Sequence, residues 1–492
     1  MSGIRSAGKV LALGVCVSVF SAQAVADVVV FEPSIALDQR FDDNYFLNVN
    51  GAGSLSATRA IADLGLSSQS ETFVLRGLAR VDSLLTTSSE VVEEGVDHNY
   101  IAFLDFTRRT ERSRYGVKFE RKQDTPSRDI AADISNEESL AEDTGQVETQ
   151  SLFSNVARKE FKIEPTFEFD ITRRLLFDAK IKWTAVDHGT PAAQDVIYQR
   201  YRDSLAPGEV PLPYDAVTIE DVGVFTPDGE LDDYEEGELE LGLRYKLSPV
   251  VTLGVKAGYS RFTSEVEPDP AAIIPFEDLI ADPLVPEIRR KPRRDLVSTK
   301  STFQLSYERF LTPTLQFVIN GGLYTNTTDT SETLRPDDLP EGQGGLAGGT
   351  TENDGWIAST SLAYNTDSTR YEARFAVDVQ PSSAGTQVET NELTGSMRRV
   401  LSPRLDFSIH GRAFEPDRLV ARQNDRFARR FISFEPKIQW KYTRTWTLSA
   451  AFRYRRQKAR TEFISAESNA ILLAIKYTPA SKVGDAERAN RL

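Results

Sequence analysis

From about residue 31 to 479 the chain repeats one pattern, apolar and polar residues in strict alternation. In Leu175-Phe177-Ala179-Ile181-Trp183 every second position is apolar, and Leu176, Asp178, Lys180 and Lys182 lie between. A period of two belongs to a β-strand with one apolar face. The same signature marks Phe73–Val81, Tyr115–Phe119, Phe161–Phe169, Leu239–Tyr245, Leu315–Ile319, Tyr371–Val379, Leu405–Ile409, Trp446–Tyr454 and Ile471–Tyr477. After residue 26 no run reaches 18 apolar residues, so no transmembrane helix is expected there.

A soluble sandwich would alternate in the same way, and the connections separate the two architectures. Leu247-Ser248-Pro249-Val250-Val251, Leu311-Thr312-Pro313-Thr314-Leu315 and Leu401-Ser402-Pro403-Arg404-Leu405 are copies of one short connector. Ile171-Thr172-Arg173-Arg174-Leu175 and Tyr442-Thr443-Arg444-Thr445-Trp446 keep its shape with Arg in place of Pro. Pro suits the first central position of a tight turn. The opposite strand ends are joined by long polar stretches, residues 124 to 156, 188 to 233, 265 to 296 and 327 to 354. Short turns on one side and long loops on the other are expected of a transmembrane barrel.

The predicted fold class is therefore all-β, a transmembrane antiparallel up-and-down β-barrel of about 18 strands with short periplasmic turns and long extracellular loops. Upward strands begin near residues 31, 71, 112, 175, 251, 315, 369, 404 and 445, and downward strands end near 66, 107, 170, 246, 310, 366, 400, 442 and 477. Alternation is weakest around 52 to 66 and 388 to 400, which leaves 16 strands as the alternative count. Closure is obligatory in hydrocarbon, where each unpaired backbone group costs several kcal/mol. Phe106, Phe169, Tyr245, Phe310, Tyr364, Tyr442 and Tyr477 fall beside the short turns, as an interfacial aromatic girdle would.

The first 26 residues follow a different rule. Arg5 and Lys9 precede an apolar run from Val10 to Phe20, and Ala24-Val25-Ala26 offers a cleavage site before Asp27. This is the layout of a secretory signal peptide. The only Cys, Cys16, lies inside it behind Val15, not behind the small residue a lipoprotein signal requires. The domain reading is a cleaved signal at 1–26, the barrel at 27–479 and a polar periplasmic tail at 480–492.

Composition narrows the function classes. The chain has 492 residues, 40% hydrophobic, with one Cys, two Met, three His and a net charge of −15. These counts argue against a polytopic helical membrane protein, a disulfide scaffold or a Cys/His metal enzyme, and no cofactor is expected. The acidic balance disfavours nucleic acid. No G-x-S-x-G elbow accompanies His98, His188 or His410, so the chain does not read as an enzyme. The acidic pairs Asp42-Asp43 and Asp232-Asp233-Tyr234-Glu235-Glu236 raise divalent cations as a second idea. Their spacing matches no defined calcium loop, and a solvated or lipopolysaccharide-bridging surface is the favoured account.

With the apolar face toward lipid, the lumen receives Arg76, Arg80, Arg114, Lys118, Lys162, Lys180, Lys182, Arg244, Lys256, Arg374, Arg398, Arg412, Lys437, Arg453 and Arg455. It also receives Glu120, Glu164, Glu168, Glu240, Glu372, Asp378, Asp406 and Glu435, with Asp178, Glu238 and Glu392. Two expectations compete. These charges neutralise one another across strands, or the cation excess makes an anion-preferring pore beneath acidic loops.

The segment Pro33-Ser34-Ile35-Ala36-Leu37 followed by Phe41-Asp42-Asp43-Asn44-Tyr45-Phe46, with Ser468-Asn469-Ala470-Ile471-Leu472-Leu473 and Tyr477, resembles the first and last strands of a family of outer-membrane β-barrel porins. Its members are often encoded beside exopolysaccharide synthesis and export functions. The resemblance spans about residues 31 to 479. It implies a passive barrel passing polar solutes or exported polysaccharide, alongside export components, the barrel assembly machinery and outer-membrane lipid. The polar tail departs from the terminal aromatic common among barrels. The alternative function is a structural or surface-binding barrel with a plugged lumen.

Overall fold

Alternating strands that cannot bury their apolar faces against a core close on themselves instead. The computed structural model describes residues 29–43, 54–89, 96–124, 158–188, 233–266, 293–333, 347–381, 387–418, 429–459 and 465–479. Eighteen strands follow one another: β1 (Val30–Asp42), β2 (Leu55–Gln69), β3 (Phe73–Ser89), β4 (Val96–Arg109), β5 (Ser113–Asp124), β6 (Arg158–Asp170), β7 (Leu175–His188), β8 (Asp233–Ser248) and β9 (Val251–Val266). They continue as β10 (Arg293–Thr312), β11 (Leu315–Thr333), β12 (Ala347–Asn365), β13 (Thr369–Pro381), β14 (Gln387–Ser402), β15 (Leu405–Arg418), β16 (Arg429–Lys441), β17 (Trp446–Ala459) and β18 (Ser465–Tyr477). Each is antiparallel to its chain neighbours, and β1 also pairs with β18 from Ile35↔Tyr477 to Asp42↔Ala470, so no sheet edge remains over that stretch. The two weakly alternating segments are strands β2 and β14, which excludes the 16-strand count.

The short turns share a hydroxyl device. Ser248 Oγ accepts from the backbone N–H of Val250 (3.3 Å), Ser402 Oγ from Arg404 (3.3 Å), and Thr172 and Thr443 from Leu175 and Trp446 (3.0 Å each). Thr110 and Thr366 do the same for Ser113 and Thr369 (3.0 Å each). A Ser or Thr side chain here supplies a local acceptor to a turn amide that has no ladder partner.

Side chains alternate across the wall as the pattern requires. On the outer face Ile35, Leu305, Leu323, Ile181, Ile471 and Leu473 are exposed, Leu323 at 68%. On β7 the outward run Leu175–Trp183 spans nine residues. At about 3.3 Å per residue and a tilt near 40°, it covers a height of roughly 20 Å, close to the apolar band of a membrane barrel. Aromatic rings gather at its lower border, near the short turns: Phe73 with Phe106 (5.2 Å between centroids), Tyr115 with Phe167 (5.1 Å), Tyr364 with Tyr371 (5.9 Å) and Trp446 with Tyr477 (4.8 Å). Phe161 with Trp183 (5.7 Å) lies toward the other border. Phe310 departs from the expected girdle. It pairs with Gln316 at a bulge in the β10–β11 turn, on the parity of the inner face. The polar Gln39 and Thr58 on the outer face satisfy each other, Thr58 Oγ1 donating to Gln39 Oε1 at 2.6 Å.

Candidate functional site: the inner wall

The parity that turns Ile181 outward turns Lys180 and Lys182 inward, and the continuous register carries that choice around the ring. Neighbours on this face, both across strands and along them, carry opposite charge again and again. Lys180 reaches Glu164 at 3.0 Å and Lys162 reaches it at 3.5 Å. Lys118 meets Glu120 (3.4 Å) and Lys182 meets Glu236 (3.8 Å). Arg244 spans Asp178 (3.0 Å) and Glu168 (3.1 Å), and Lys256 holds Glu240 (2.6 Å). Further round, Arg398 and Lys441 share Asp406 (3.4 and 3.0 Å), Arg412 pairs with Glu392 (2.6 Å), and Arg453 with Glu435 (2.5 Å). Arg80 pairs with Asp63 (2.5 Å), Arg370 with Glu372 (3.7 Å), and Lys437 is buried on the same face.

This arrangement shifts the balance between the two expectations about charge. The cation excess read from the alternating runs is met by carboxylates that lie outside those runs: Asp38 and Asp42 on β1, Asp63 on β2, Asp82 on β3 and Glu160 on β6. Arg59 pairs with Asp82 (2.5 Å) and Arg158 with Glu160 (2.6 Å). The half-exposed pairs, such as Arg244–Glu168 and Lys256–Glu240, contribute about 0–1 kcal/mol each to stability. Their larger effect is to leave little uncompensated charge along the wall. Among the described residues no carboxylate lies within ion-pair distance of Arg76, Arg114 or Arg374. All three stand in the short-turn halves of β3, β5 and β13.

The densest cluster lies where the barrel closes. Asp42 on β1 accepts from Arg40 (2.5 Å), from Arg455 of β17 (2.9 Å) and from Ser468 Oγ of β18 (2.7 Å), all buried. Beside it Asp43 accepts from the backbone N–H of Asn469 (2.7 Å) and from Asn469 Nδ2 (2.9 Å). The two sequence segments singled out at the ends of the chain therefore meet at the seam. The Asp42-Asp43 cation idea fails here, because protein donors already occupy both carboxylates. In the second acidic run Asp232 lies outside the described residues. Tyr234 and Glu236 are buried on the inner face and Glu235 is exposed on the outer one, so neighbouring carboxylates diverge and do not form one cage.

A second layer lines part of the lumen, and no signal in the alternation marks it. β12 pairs with β13 only from Asn365↔Arg370 to Ala358↔Val377, although β11 accompanies β12 up to Ala347. Beyond Val377 β13 parts from β12 while β14 stays paired with β15 up to Val388↔Arg418, and the Val379 end of the β13–β14 hairpin lies over the inner faces of β10 to β12. Val379 packs against Tyr324 of β11 and Ile357 of β12. Lys300 Nζ of β10 donates to the Val379 carbonyl (2.7 Å) and stands 3.9 Å from Asp378, while Tyr324 hydroxyl donates to Glu389 of β14 (3.1 Å). Tyr324 lies flat because Gly355 is opposite it. A Cβ there would stand 2.6 Å from the ring. Tyr324, Ile357 and Val379 are each under 5% exposed.

The histidines are dispersed. His410 is exposed on the inner face opposite Glu435, and the His188 side chain is outside the described residues. His98 Nδ1 stands 2.8 Å from Ser83 Oγ, a contact the sequence did not suggest, and among the described residues no carboxylate orients that ring.

No known family profile matches the sequence, and no curated protein matches it. Solved structures similar to the chain include OccAB4 of Acinetobacter baumannii, with 9% identity, a TM-score of 0.39, and coverage of 93% of this chain and 100% of that one. OpdK of Pseudomonas aeruginosa, crystallised with vanillate, has 8% identity, a TM-score of 0.38, and coverage of 91% and 98%. The ferric-catecholate import receptor Fiu of E. coli K12 has 11% identity, a TM-score of 0.39, and coverage of 91% and 81%. Likeness at this distance says nothing of this chain's cargo.

Proposed function

We propose that the chain is an outer-membrane channel of porin type, a passive conduit for polar solutes. One observation carries this reading: a closed 18-strand cylinder whose outer face is an aromatic-bordered apolar band and whose inner face is a wall of ion pairs. Such a cylinder is stable only with lipid outside and water inside, and barrels of this strand number can hold an aqueous channel. The named cations and carboxylates line that channel. Because most are paired, they give a hydrophilic wall of modest charge preference, and Arg76, Arg114 and Arg374 bias the short-turn half toward anions.

Exported polysaccharide is the finer cargo this reading admits, on the resemblance of the first and last strands. It brings export components, lipopolysaccharide and the barrel assembly machinery as partners, and an exported precursor cleaved before Asp27. A second reading, a plugged structural barrel, is favoured by the hairpin layered inside the lumen. The test is conductance of the purified protein in planar bilayers. Stable open steps with a mild anion preference support the channel, and a barrel that inserts but stays silent supports the plug.

A further inference from the structure

The inner hairpin has a vacant place in the wall. If the β12–β13 register continued past Ala358↔Val377, Asp378 would stand opposite Ile357, Val379 opposite Trp356, Gln380 opposite Gly355 and Pro381 opposite Asp354. Among the described residues, β12 from Ala347 to Ile357 has β11 on one side and no strand on the other. Open strand edges are costly and invite pairing. The hairpin itself is intact, with β13 and β14 paired through Pro381↔Gln387, and β14 stays paired with β15 up to Val388↔Arg418. Because β15 pairs with β16 only up to Phe414↔Phe431, the hairpin and the end of β15 can move together.

The two positions are close in what they satisfy. Folded inward, the hairpin gains the Lys300 and Tyr324 hydrogen bonds and buries Val379 against Tyr324 and Ile357. Zipped outward, it gains ladder bonds to β12 and turns Val379 to the same face as Trp356, while Pro381, lacking an N–H, adds little. Folded inward it also occupies lumen. Layered sheets lie about 10 Å apart, so the hairpin thickens this sector of the wall by one sheet.

We propose that the β13–β14 hairpin is the gate of the pore: latched by Lys300 and Tyr324 it narrows the lumen, and zipped onto the free edge of β12 it opens it. The gating claim rests on the channel reading above, whereas movement of the hairpin can be tested without it. Gates of this kind are two packings of one element that differ by little.

In a Cys16→Ser chain, Val379→Cys with Trp356→Cys places a cysteine pair that meets only in the zipped position. Oxidation is expected to form the disulfide, read by mass spectrometry, and to raise single-channel conductance about twofold, since a layer of lumen is vacated. Lys300→Ala without any cysteine is expected to move conductance the same way. Absence of the disulfide under oxidation overturns the two-position hairpin. A disulfide that forms while conductance stays at the unlocked value overturns the gate. A barrel silent in every variant, including the one locked outward, overturns the channel reading itself, while the disulfide yield still decides whether the hairpin moves.

Discussion

Removing the Asp42 carboxylate is the sharpest test of how this barrel closes. The β1–β18 pairing is short, Ile35–Asp42 against Tyr477–Ala470, whereas β1 pairs with β2 along its whole length. At the far end of that seam Asp42 gathers Arg40, Arg455 and Ser468 away from water. Asp42→Ala removes the carboxylate that two buried guanidinium groups share, and breaking a buried pair costs about 3–5 kcal/mol. Asp43→Ala, next along the chain, removes two exposed hydrogen bonds from Asn469, and costs about 1 kcal/mol. With a urea slope near 2 kcal/mol per M, the first should lower the unfolding midpoint by about 2 M and the second by roughly 0.5 M. The assay is urea unfolding of protein refolded into lipid vesicles, followed by tryptophan fluorescence. Equal shifts for the two variants would refute the claim that a buried ion cluster, not the strand ladder alone, holds the seam.

Other predictions follow from the two faces of the wall. Ile181→Arg puts a charge in the middle of the outer apolar run and should lower stability by about 2–4 kcal/mol in vesicle refolding, while Lys180→Gln, one residue before but inward, should cost about 1 kcal/mol or less, since Glu164 keeps Lys162. The triple change Arg76→Gln, Arg114→Gln and Arg374→Gln should abolish the mild anion preference, read as the reversal potential across a salt gradient; an unchanged potential would show that these side chains do not face the ion path. Gly355→Ala brings a Cβ against the Tyr324 ring, and should release the hairpin as Lys300→Ala does, with a matching rise in conductance. Thr443→Ala removes the acceptor for the Trp446 amide, and should cost about 0.5–1.5 kcal/mol of refolding stability, restored by Thr443→Ser.

Most of the strand plan was legible in the chain because period-two alternation and hydroxyl-bearing short turns are local signals. The predicted starts at 175, 251, 315 and 369 coincide with those of β7, β9, β11 and β13. Strand β2 reads poorly because its inward positions are a mixture, Ala57, Arg59, Ile61 and Asp63, and its outward ones include Thr58 and Ala60. The same weakness hid Asp63 and Arg59, hence the carboxylates that neutralise the wall. On β1 the inward trio Asp38, Arg40 and Asp42 alternates with Leu37, Gln39 and Phe41. That alternation is by itself enough to place the trio on the lumen face.

The inner hairpin was illegible for a different reason. Alternation along Tyr371–Val379 continues unbroken, so the sequence carries no mark where β13 leaves the wall. The determinants lie on three other strands, Lys300, Tyr324 and Gly355, and only the tertiary register brings them under Val379. The inner Val379 surface and the free edge of β12 are consequences of one event, a strand pair that ends early. A barrel needs closure only where hydrocarbon surrounds it. Above that band a pair can part without penalty from lipid, and the residues that part are free to be selected for what they do inside the lumen. That is where a β-barrel can acquire moving parts while its lipid-facing wall stays fixed.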